Sequence, residues 1–344
     1  MSRDSNWVLS MNGERALTAP AVAAPARTAR PTLRGHVQIM RIDHWFKNVF
    51  VLPGIIAAIG VDAAQTKSGL WTRILVGLIS ICLVASSNYV INEVLDAASD
   101  LSHLIKRRRP VPSGLVSVPL AYVQWIALMV TGVALGLLVS KAFAITVFML
   151  WVMGCIYNIP PIRSKDVPYI DVLSEAVNNP LRMLAGWFIG STMSIAPASL
   201  LLSYWMVGCY FMAIKRYAEY REIGDRSTAA AYRKSFAFYT PERLIVSVMF
   251  YGSAAMLFLG AFVMRYRLEL ILAFPLVALV MAIYLDLSFK KDSAVQRPEG
   301  LYREPRLMAA VIVCSIAMAA LMLVDIPLMQ VIFSPTAPTV FDKK

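Results

Sequence analysis

Charge is scarce in this sequence. Only 16% of its 344 residues are Asp, Glu, Lys or Arg, while 58% are hydrophobic and the mean hydropathy is +0.62. Soluble domains carry about 25% charged residues, so a water-solvated globular fold is excluded and lipid is the expected solvent. Cysteine is equally sparse, with Cys82, Cys155, Cys209 and Cys314 each alone in a separate apolar stretch. That spacing excludes a zinc or disulfide framework and leaves four small core residues. Residues 1–35 are rich in Ala, Pro, Thr and Arg but lack the unbroken apolar core of about 7–15 residues that a secretory signal needs. They read as a flexible cytoplasmic tail before a membrane domain over 36–333, with 334–344 as a C-terminal tail.

Long apolar runs are abundant. A hydrocarbon core about 30 Å thick takes roughly 20 helical residues to cross. Runs near 45–62, 70–95, 117–139, 142–158, 168–191, 198–217, 243–264, 268–288 and 306–333 predict an all-α, polytopic membrane protein with about nine transmembrane helices. The first run is irregular: His44, Lys47 and Asn48 lead into it and Pro53 and Gly54 interrupt it. A kinked or partly re-entrant segment is expected there.

The net charge of +12 suits nucleic acid, anionic headgroups or phosphorylated substrates. Burial in a membrane favours the last two, and no nucleic-acid partner is expected. The connections after spans two, four, six and eight hold 18 Lys and Arg residues, against five in the others. The positive-inside rule therefore places the even connections and the N-terminus in the cytoplasm, as for a multi-pass protein of the cell (inner) membrane.

Polar chemistry concentrates after spans two and six. Asn92, Asp96 and Asp100 recur at i, i+4 and i+8 and share one face of a helix. Two carboxylates and an amide oxygen are hard ligands, and Mg2+ usually takes one or two carboxylates with water and substrate phosphates completing its shell. The stripe predicts a Mg2+ site for a diphosphate. The alternative, aspartates that merely mark a helix leaving the membrane, does not account for Asn92 and Glu93 lying deeper in the span. Directly after it comes Lys106-Arg107-Arg108-Arg109-Pro110-Val111-Pro112-Ser113-Gly114, a basic run closed by a constrained turn. Lys106 and Arg109 suit phosphate recognition, although cytoplasmic loops attract such residues anyway. His103 alone reads as a polar loop residue.

Together, Asn92-x-x-x-Asp96-x-x-x-Asp100 and the Lys-Arg-Arg-Arg-Pro-Val-Pro-Ser-Gly run resemble the first signature of the UbiA superfamily of membrane prenyltransferases, with Glu93 where Asp is usual. Further matches follow in order: Asp43-His44-Trp45-Phe46-Lys47-Asn48, Tyr157 to Arg163, Asp171-Val172-Leu173, and Arg182-Met183-Leu184-Ala185-Gly186. The resemblance covers about residues 38–330. It implies nine helices around a central cavity open to the cytoplasm and to lipid, and substrate contacts from Lys47, Arg163 and Arg182. The second signature departs from the family's aspartates. It reads Lys215-Arg216-Tyr217-Ala218-Glu219-Tyr220-Arg221-Glu222-Ile223-Gly224-Asp225-Arg226, then Tyr232-Arg233-Lys234-Ser235 and Phe238-Tyr239-Thr240. This is similar to the phosphoribosyltransferase branch, which joins a polyprenyl phosphate to 5-phosphoribosyl 1-diphosphate and releases diphosphate.

A phosphoribosyl donor carries a second phosphate pole, which Lys215 and Arg216 are expected to meet, with Glu219 beside them. Glu219, Glu222 and Asp225, at i, i+3 and i+6, leave a second metal open. Glu175, Asn178 and Asn179 are unexpectedly polar for the fifth span and leave the acceptor open. Two other readings remain: alkylation of an aromatic or lipid acceptor by a prenyl diphosphate, and a non-catalytic lipid-binding or transport protein that releases no diphosphate. Topology is directly testable by cysteine labelling. A cysteine introduced at Ser113 should react only from the cytoplasmic side and one at Lys67 only from outside; the reverse pattern would invert the arrangement.

Overall fold

The computed structural model describes residues 30–61, 69–101, 106–191, 195–296 and 298–333. Among these the chain forms helices and turns with no strand. A short helix α1 (Leu33–Gln38) leads into a 3-10 segment over Ile42–Val51 that runs straight into α2 (Leu52–Val61). The first span is thus two helical types joined end to end, with Pro53 in the opening turn of α2, where its missing N–H costs nothing. Residues 32–35 are not a free tail. The Thr32 N–H donates to the Leu115 carbonyl at 2.9 Å, and the rest of the tail, residues 1–29, lies outside the described residues.

Next come α3 (Leu70–Leu101), α4 (Val118–Val139) and α5 (Lys141–Asn158). The fifth run is broken into α6 (Ile170–Ala176) and α7 (Asn178–Gly190). Pro180 explains the break, because it cannot donate to the carbonyl four residues back and its ring crowds that carbonyl. Beyond it lie α8 (Ala198–Ile223), α9 (Arg226–Tyr232), α10 (Pro241–Tyr266), α11 (Phe274–Ser288), α12 (Pro305–Leu323) and α13 (Pro327–Ile332). Eight stretches are long and apolar enough to cross a membrane. Among the described residues that is one fewer than the nine expected, because the fifth run is divided between α6 and α7, neither long enough to cross alone.

Two expected ends move. The run expected over 306–333 stops at Leu323, and the chain turns through Asp325 before α13. The sixth span continues to Ile223, so Lys215 to Glu222 belong to α8 rather than to a loop. Gly224, at φ +70°, ends it in the left-handed conformation that glycine adopts without strain.

The helices close a ring. α3 packs on α4 and α5, α5 on α7, α7 on α2 and α8, α8 on α10 and α11, α11 on α12, and α12 returns to α2. Side chains such as Leu137, Ile145, Leu257 and Ile316 face outward on this ring, as expected where lipid is the solvent. Connections 106–117, 159–169, 224–240 and 289–304 meet at one end, through pairs such as Lys234–Asp166 at 3.3 Å and Lys106 over the Tyr232 ring at 4.7 Å. At the other end Arg267 donates to the Gly60 carbonyl and pairs with Asp325.

Backbone contact between α2 and α7 sets this ring. A Cβ on Gly54 would stand 1.9 Å from the Met183 carbonyl oxygen, and one on Gly186 would stand 2.0 Å from that of Val51. Small residues let membrane helices approach this closely. Gly186→Val should therefore lower thermal stability in detergent by at least the ~1–3 kcal/mol of ordinary overpacking, read by fluorescence-detected thermal gel filtration. An unchanged melting temperature would count against the reciprocal packing.

Candidate active site

The face of α3 at the connection-rich end carries Asn92, Asp96 and Asp100, with Asn92 and Asp96 half-buried and Asp100 buried. Cations stand on these oxygens. Asp96 Oδ1 accepts from Lys165 Nζ at 2.6 Å and from Arg163 Nη2 at 2.9 Å. Lys165 Nζ also reaches Asn158 Oδ1 at 3.0 Å and Asn92 Oδ1 at 3.3 Å. Asp100 pairs with Arg109 at 2.7 Å. Arg163 holds φ +30°, an uncommon conformation for a non-glycine residue, while bonded to both Asp96 and Asp166. Such strain persists where surrounding contacts over-determine the backbone.

Glu93, the residue that departs from the family signature, points elsewhere. Its Oε1 accepts the Val111 N–H at 3.1 Å, and its Oε2 lies 3.8 Å from Arg41 Nε. It fastens the Lys106–Gly114 turn to α3. His103 lies outside the described residues.

Across from this stripe, α6, α8 and the α9–α10 connection meet in an ion-pair knot. Arg216 is at its centre, its side chain 2% exposed. Nε faces Asp171 Oδ2 at 3.3 Å, Nη1 faces Glu219 Oε2 at 3.1 Å, and Nη2 faces Glu175 Oε2 at 2.5 Å. Asp171 is fully buried and also takes Tyr239 Oη at 2.7 Å, Ser235 Oγ at 3.2 Å and Arg233 Nη1 at 3.2 Å. Tyr157 Oη donates to Glu175 at 2.8 Å, and Lys215 Nζ lies 4.0 Å from Glu219.

All three nitrogens of Arg216 face carboxylates, where a guanidinium open to phosphate was expected. The second-metal set also separates. Glu219 faces Arg216 and Lys215, Glu222 is exposed, and Asp225 caps α9 through the Thr228 N–H at 2.8 Å. That capping, with the Ser227 and Thr228 hydroxyls, holds the Asp225 carboxyl down at about 2.

The remaining cations interact at the mouth. Burial lowers the Lys165 pKa, Asp96 opposes this, and Arg163 and Arg233 lower it further by repulsion. Lys106 is lowered in the same way by burial, then by Arg109 and Arg233, against Asp100 and Glu219. Lys47 is half-buried in the 3-10 segment, 6.0 Å from the Phe46 ring centroid. Arg182 lies in α7, bonded to Asn48 Oδ1 at 3.1 Å. Sequence reasoning passed over Lys165, Asn158 and Arg233 as site residues. Lys165 was legible only as a topological charge two positions after Arg163.

Among the described residues no group of three or more His, Cys, Asp and Glu side chains could hold a metal alone. The donor set still fits Mg2+ with a diphosphate: hard oxygens on one helical face, two of them carboxylate, with the remaining positions left to phosphate oxygens.

The family model described as "UbiA prenyltransferase family" matches residues 51–303. The chain belongs to this family. UbiA-family proteins are transferases, and this chain is a multi-pass membrane member. It is similar to decaprenyl-phosphate phosphoribosyltransferase of Corynebacterium glutamicum, 31% identical over 220 residues, covering 61% of each chain. The same enzyme of Mycobacterium tuberculosis is 32% identical over 60% of this chain and 66% of its own. The chain thus spans just under two thirds of these relatives' length. It also resembles a digeranylgeranylglyceryl phosphate synthase of Saccharolobus solfataricus, 32% identical over 37% of this chain and 42% of that one. The fold matches a UbiA homologue from Archaeoglobus fulgidus bound to GPP and Mg2+, with TM-score 0.62, 19% identity, and 84% and 100% of the two chains covered.

If Arg216 is the counter-ion of three carboxylates, its loss should be felt without any substrate. Arg216→Met should lower stability by about 3–5 kcal/mol, the cost of leaving buried charges uncompensated, measured as thermal unfolding in detergent. Unchanged unfolding together with weakened donor binding would restore Arg216 as a ligand residue.

Proposed function

We propose that this UbiA-family member is a Mg2+-dependent phosphoribosyltransferase that moves a 5-phosphoribosyl group from phosphoribosyl diphosphate to a polyprenyl phosphate and releases diphosphate. The observation that carries this reading is the ring of cations beside the Asn92–Asp96–Asp100 stripe. Lys165 and Arg163 reach Asp96 at 2.6 and 2.9 Å and Arg109 reaches Asp100 at 2.7 Å, Arg233 acts on both Lys106 and Lys165, and like charges gathered in a partly buried place call for a highly anionic guest. A phosphoribosyl donor brings two phosphate poles. The first meets the stripe with Lys165, Arg163 and Arg109. The second lies toward Arg233 and Lys215, on the side where ordinary family members carry metal-binding carboxylates.

Asn92, Asp96 and Asp100 would hold Mg2+, which would supply Lewis-acid neutralisation of the diphosphate charge. Lys165 and Arg163 orient the diphosphate oxygens and stabilise the charge that collects on them. The bond from the anomeric carbon to the diphosphate oxygen breaks with its electron pair on oxygen, leaving oxocarbenium character at carbon. A lipid phosphate oxygen forms the new bond. The nucleophile is already an anion, so no general base is required. Arg216 acts at a distance by fixing Glu175, Asp171 and Glu219, and through Asp171 the arm that carries Arg233.

A prenyl transfer reading is favoured by one observation, the similarity to digeranylgeranylglyceryl phosphate synthase, and it would use the same stripe. The clustering of even connections at one end together with their basic charge supports a cell-membrane protein with a cytoplasmic mouth.

The test is product identity. Purified protein with Mg2+ should convert phosphoribosyl diphosphate and polyprenyl phosphate to a lipid-linked phosphoribose, identified by mass. Asp96→Ala and Asp100→Ala should each reduce turnover on the order of 10²–10³-fold, the scale for losing one transition-state stabiliser, with membrane insertion intact. Products formed only from prenyl diphosphate and an aromatic or lipid acceptor would replace this reading with prenyl transfer.

A further inference from the structure

Arg182 is a guanidinium without a counter-ion. Its Nε donates to Asn48 Oδ1 at 3.1 Å and its Nη1 to the Asn178 carbonyl at 3.4 Å, and among the described residues no carboxylate pairs with it. Its other close neighbours, Tyr89, Tyr204 and Cys82, are neutral side chains. The arginines beside the two acidic clusters are treated differently. Arg216 faces three carboxylates, Arg163 two, and Arg109 and Arg233 one each. A bare cation at membrane depth is costly, and such residues face a cavity or a partner that arrives from outside the chain.

Its surroundings describe that partner. Arg182 lies deep among protein atoms yet keeps part of its surface uncovered, as do Tyr89, Asn178 and Tyr204. Asp171, Glu175, Asn178 and Arg182 fall at i, i+4, i+7 and i+11 along α6–α7, so one polar stripe leads from the ion-pair knot down to Arg182. Beside it, Asn178 Oδ1 is buried without a protein donor, an acceptor suited to a hydroxyl of the guest.

On the lipid side the first span exposes Phe46, Val49, Phe50 and Leu52. The Phe50 and Tyr204 rings meet edge-on at 6.4 Å where this segment approaches α8. Asn48, the residue that holds Arg182, belongs to the same segment. An apolar seam and a buried cation thus adjoin: the two ends of an amphiphile with a small anionic head.

We propose that Arg182, oriented by Asn48, binds the monophosphate head of the isoprenoid acceptor, whose tail leaves toward lipid past Phe50 and Tyr204. This assignment rests on the transferase reading above and deepens it. The donor sits at the mouth over α3, and the acceptor phosphate approaches along the α6–α7 stripe from the opposite side.

The experiment measures binding to the full chain in detergent, without donor or Mg2+, using farnesyl phosphate, farnesol and inorganic phosphate as probes. Wild-type protein should prefer farnesyl phosphate to farnesol by at least about tenfold, about 1.4 kcal/mol, and should bind inorganic phosphate more weakly than farnesyl phosphate. Arg182→Gln should erase the preference and Arg182→Lys should retain part of it. Asn48→Asp places an internal carboxylate on the guanidinium, so it should erase the preference while leaving the melting temperature at or above that of wild type. Phosphoribosyl diphosphate binding should stay within about twofold in all three. A wild-type preference retained in both Arg182→Gln and Asn48→Asp would overturn the proposal, as would inorganic phosphate binding as tightly as farnesyl phosphate. If the preference behaves as expected but wild-type protein makes no phosphoribosyl lipid, the transferase reading fails and the phosphate subsite stands.

Discussion

The pairing of Arg216 with Asp171 is the interaction on which the rest of this structure depends. Both groups are removed from solvent, in a fold whose other solvent is lipid, so each charge must be satisfied inside the protein. Fixing Asp171 fixes the start of α6. Through Tyr239, Ser235 and Arg233 it also fixes the connection between α9 and α10. Fixing Arg216 orients Glu175 and Glu219, and Glu175 holds Tyr157 at the end of α5. Four segments distant in sequence are thereby set by one guanidinium. A geometry this well paired offsets the desolvation that makes most buried ion pairs poor stabilisers.

That constraint also explains the broken fifth span. An unbroken apolar helix over 168–191 would have no use for Glu175 and Asn178 at membrane depth. Pro180 interrupts the helix, and polar side chains beside it bond to backbone carbonyls. The Asn178 amide donates to the Glu175 carbonyl, and the Arg182 guanidinium to that of Asn178. Irregular backbone survives at this depth only where it is buried in protein or lines a cavity, so the break belongs to the protein-facing wall of the α6–α7 pair. The neighbouring α2 reaches that wall because Gly54 and Gly186 let backbones touch.

Much of this was legible in the sequence, for physical reasons. Apolar runs report lipid exposure directly, so the all-α polytopic architecture, an irregular first span and the shared face of Asn92, Asp96 and Asp100 followed from hydropathy and periodicity. Lys215 and Arg216 were legible as cations but not by role. Adjacent residues on a helix point about 100° apart, and only the fold shows that Arg216 turns inward to three carboxylates while Lys215 stays nearer the surface. Lys165 was illegible as a site residue because its partners, Asn92 and Asp96, lie about 70 residues away. The end of the sixth span was misjudged because amphipathic helix beyond the membrane carries no hydropathy signal, and that of the last because the apolar Pro327–Ile332 stretch carries the signal while forming a separate short helix.

Charge balance at the mouth ties these observations to chemistry. Lys106, Arg109, Arg163, Lys165, Lys215, Arg216, Arg233 and Lys234 share the region with Asp96, Asp100, Asp166, Asp171, Glu175 and Glu219. Cations are in excess, but the excess is uneven. Around Arg216 the carboxylates outnumber the guanidinium they surround, which makes that side a rigid strut. Along α3 the cations lean onto the carboxylates that would otherwise hold a metal, so an incoming diphosphate can take Lys165, Arg163 and Arg109 as its own donors while it frees Asp96 and Asp100 as ligands. Exchange of partners within a preformed set costs little reorganisation, which is the condition under which fixed charges act most strongly on a developing anion. Under the transferase reading proposed above, the scaffold keeps the acidic stripe of α3 and sets the Arg216 strut where a second such stripe is expected, without changing its helices.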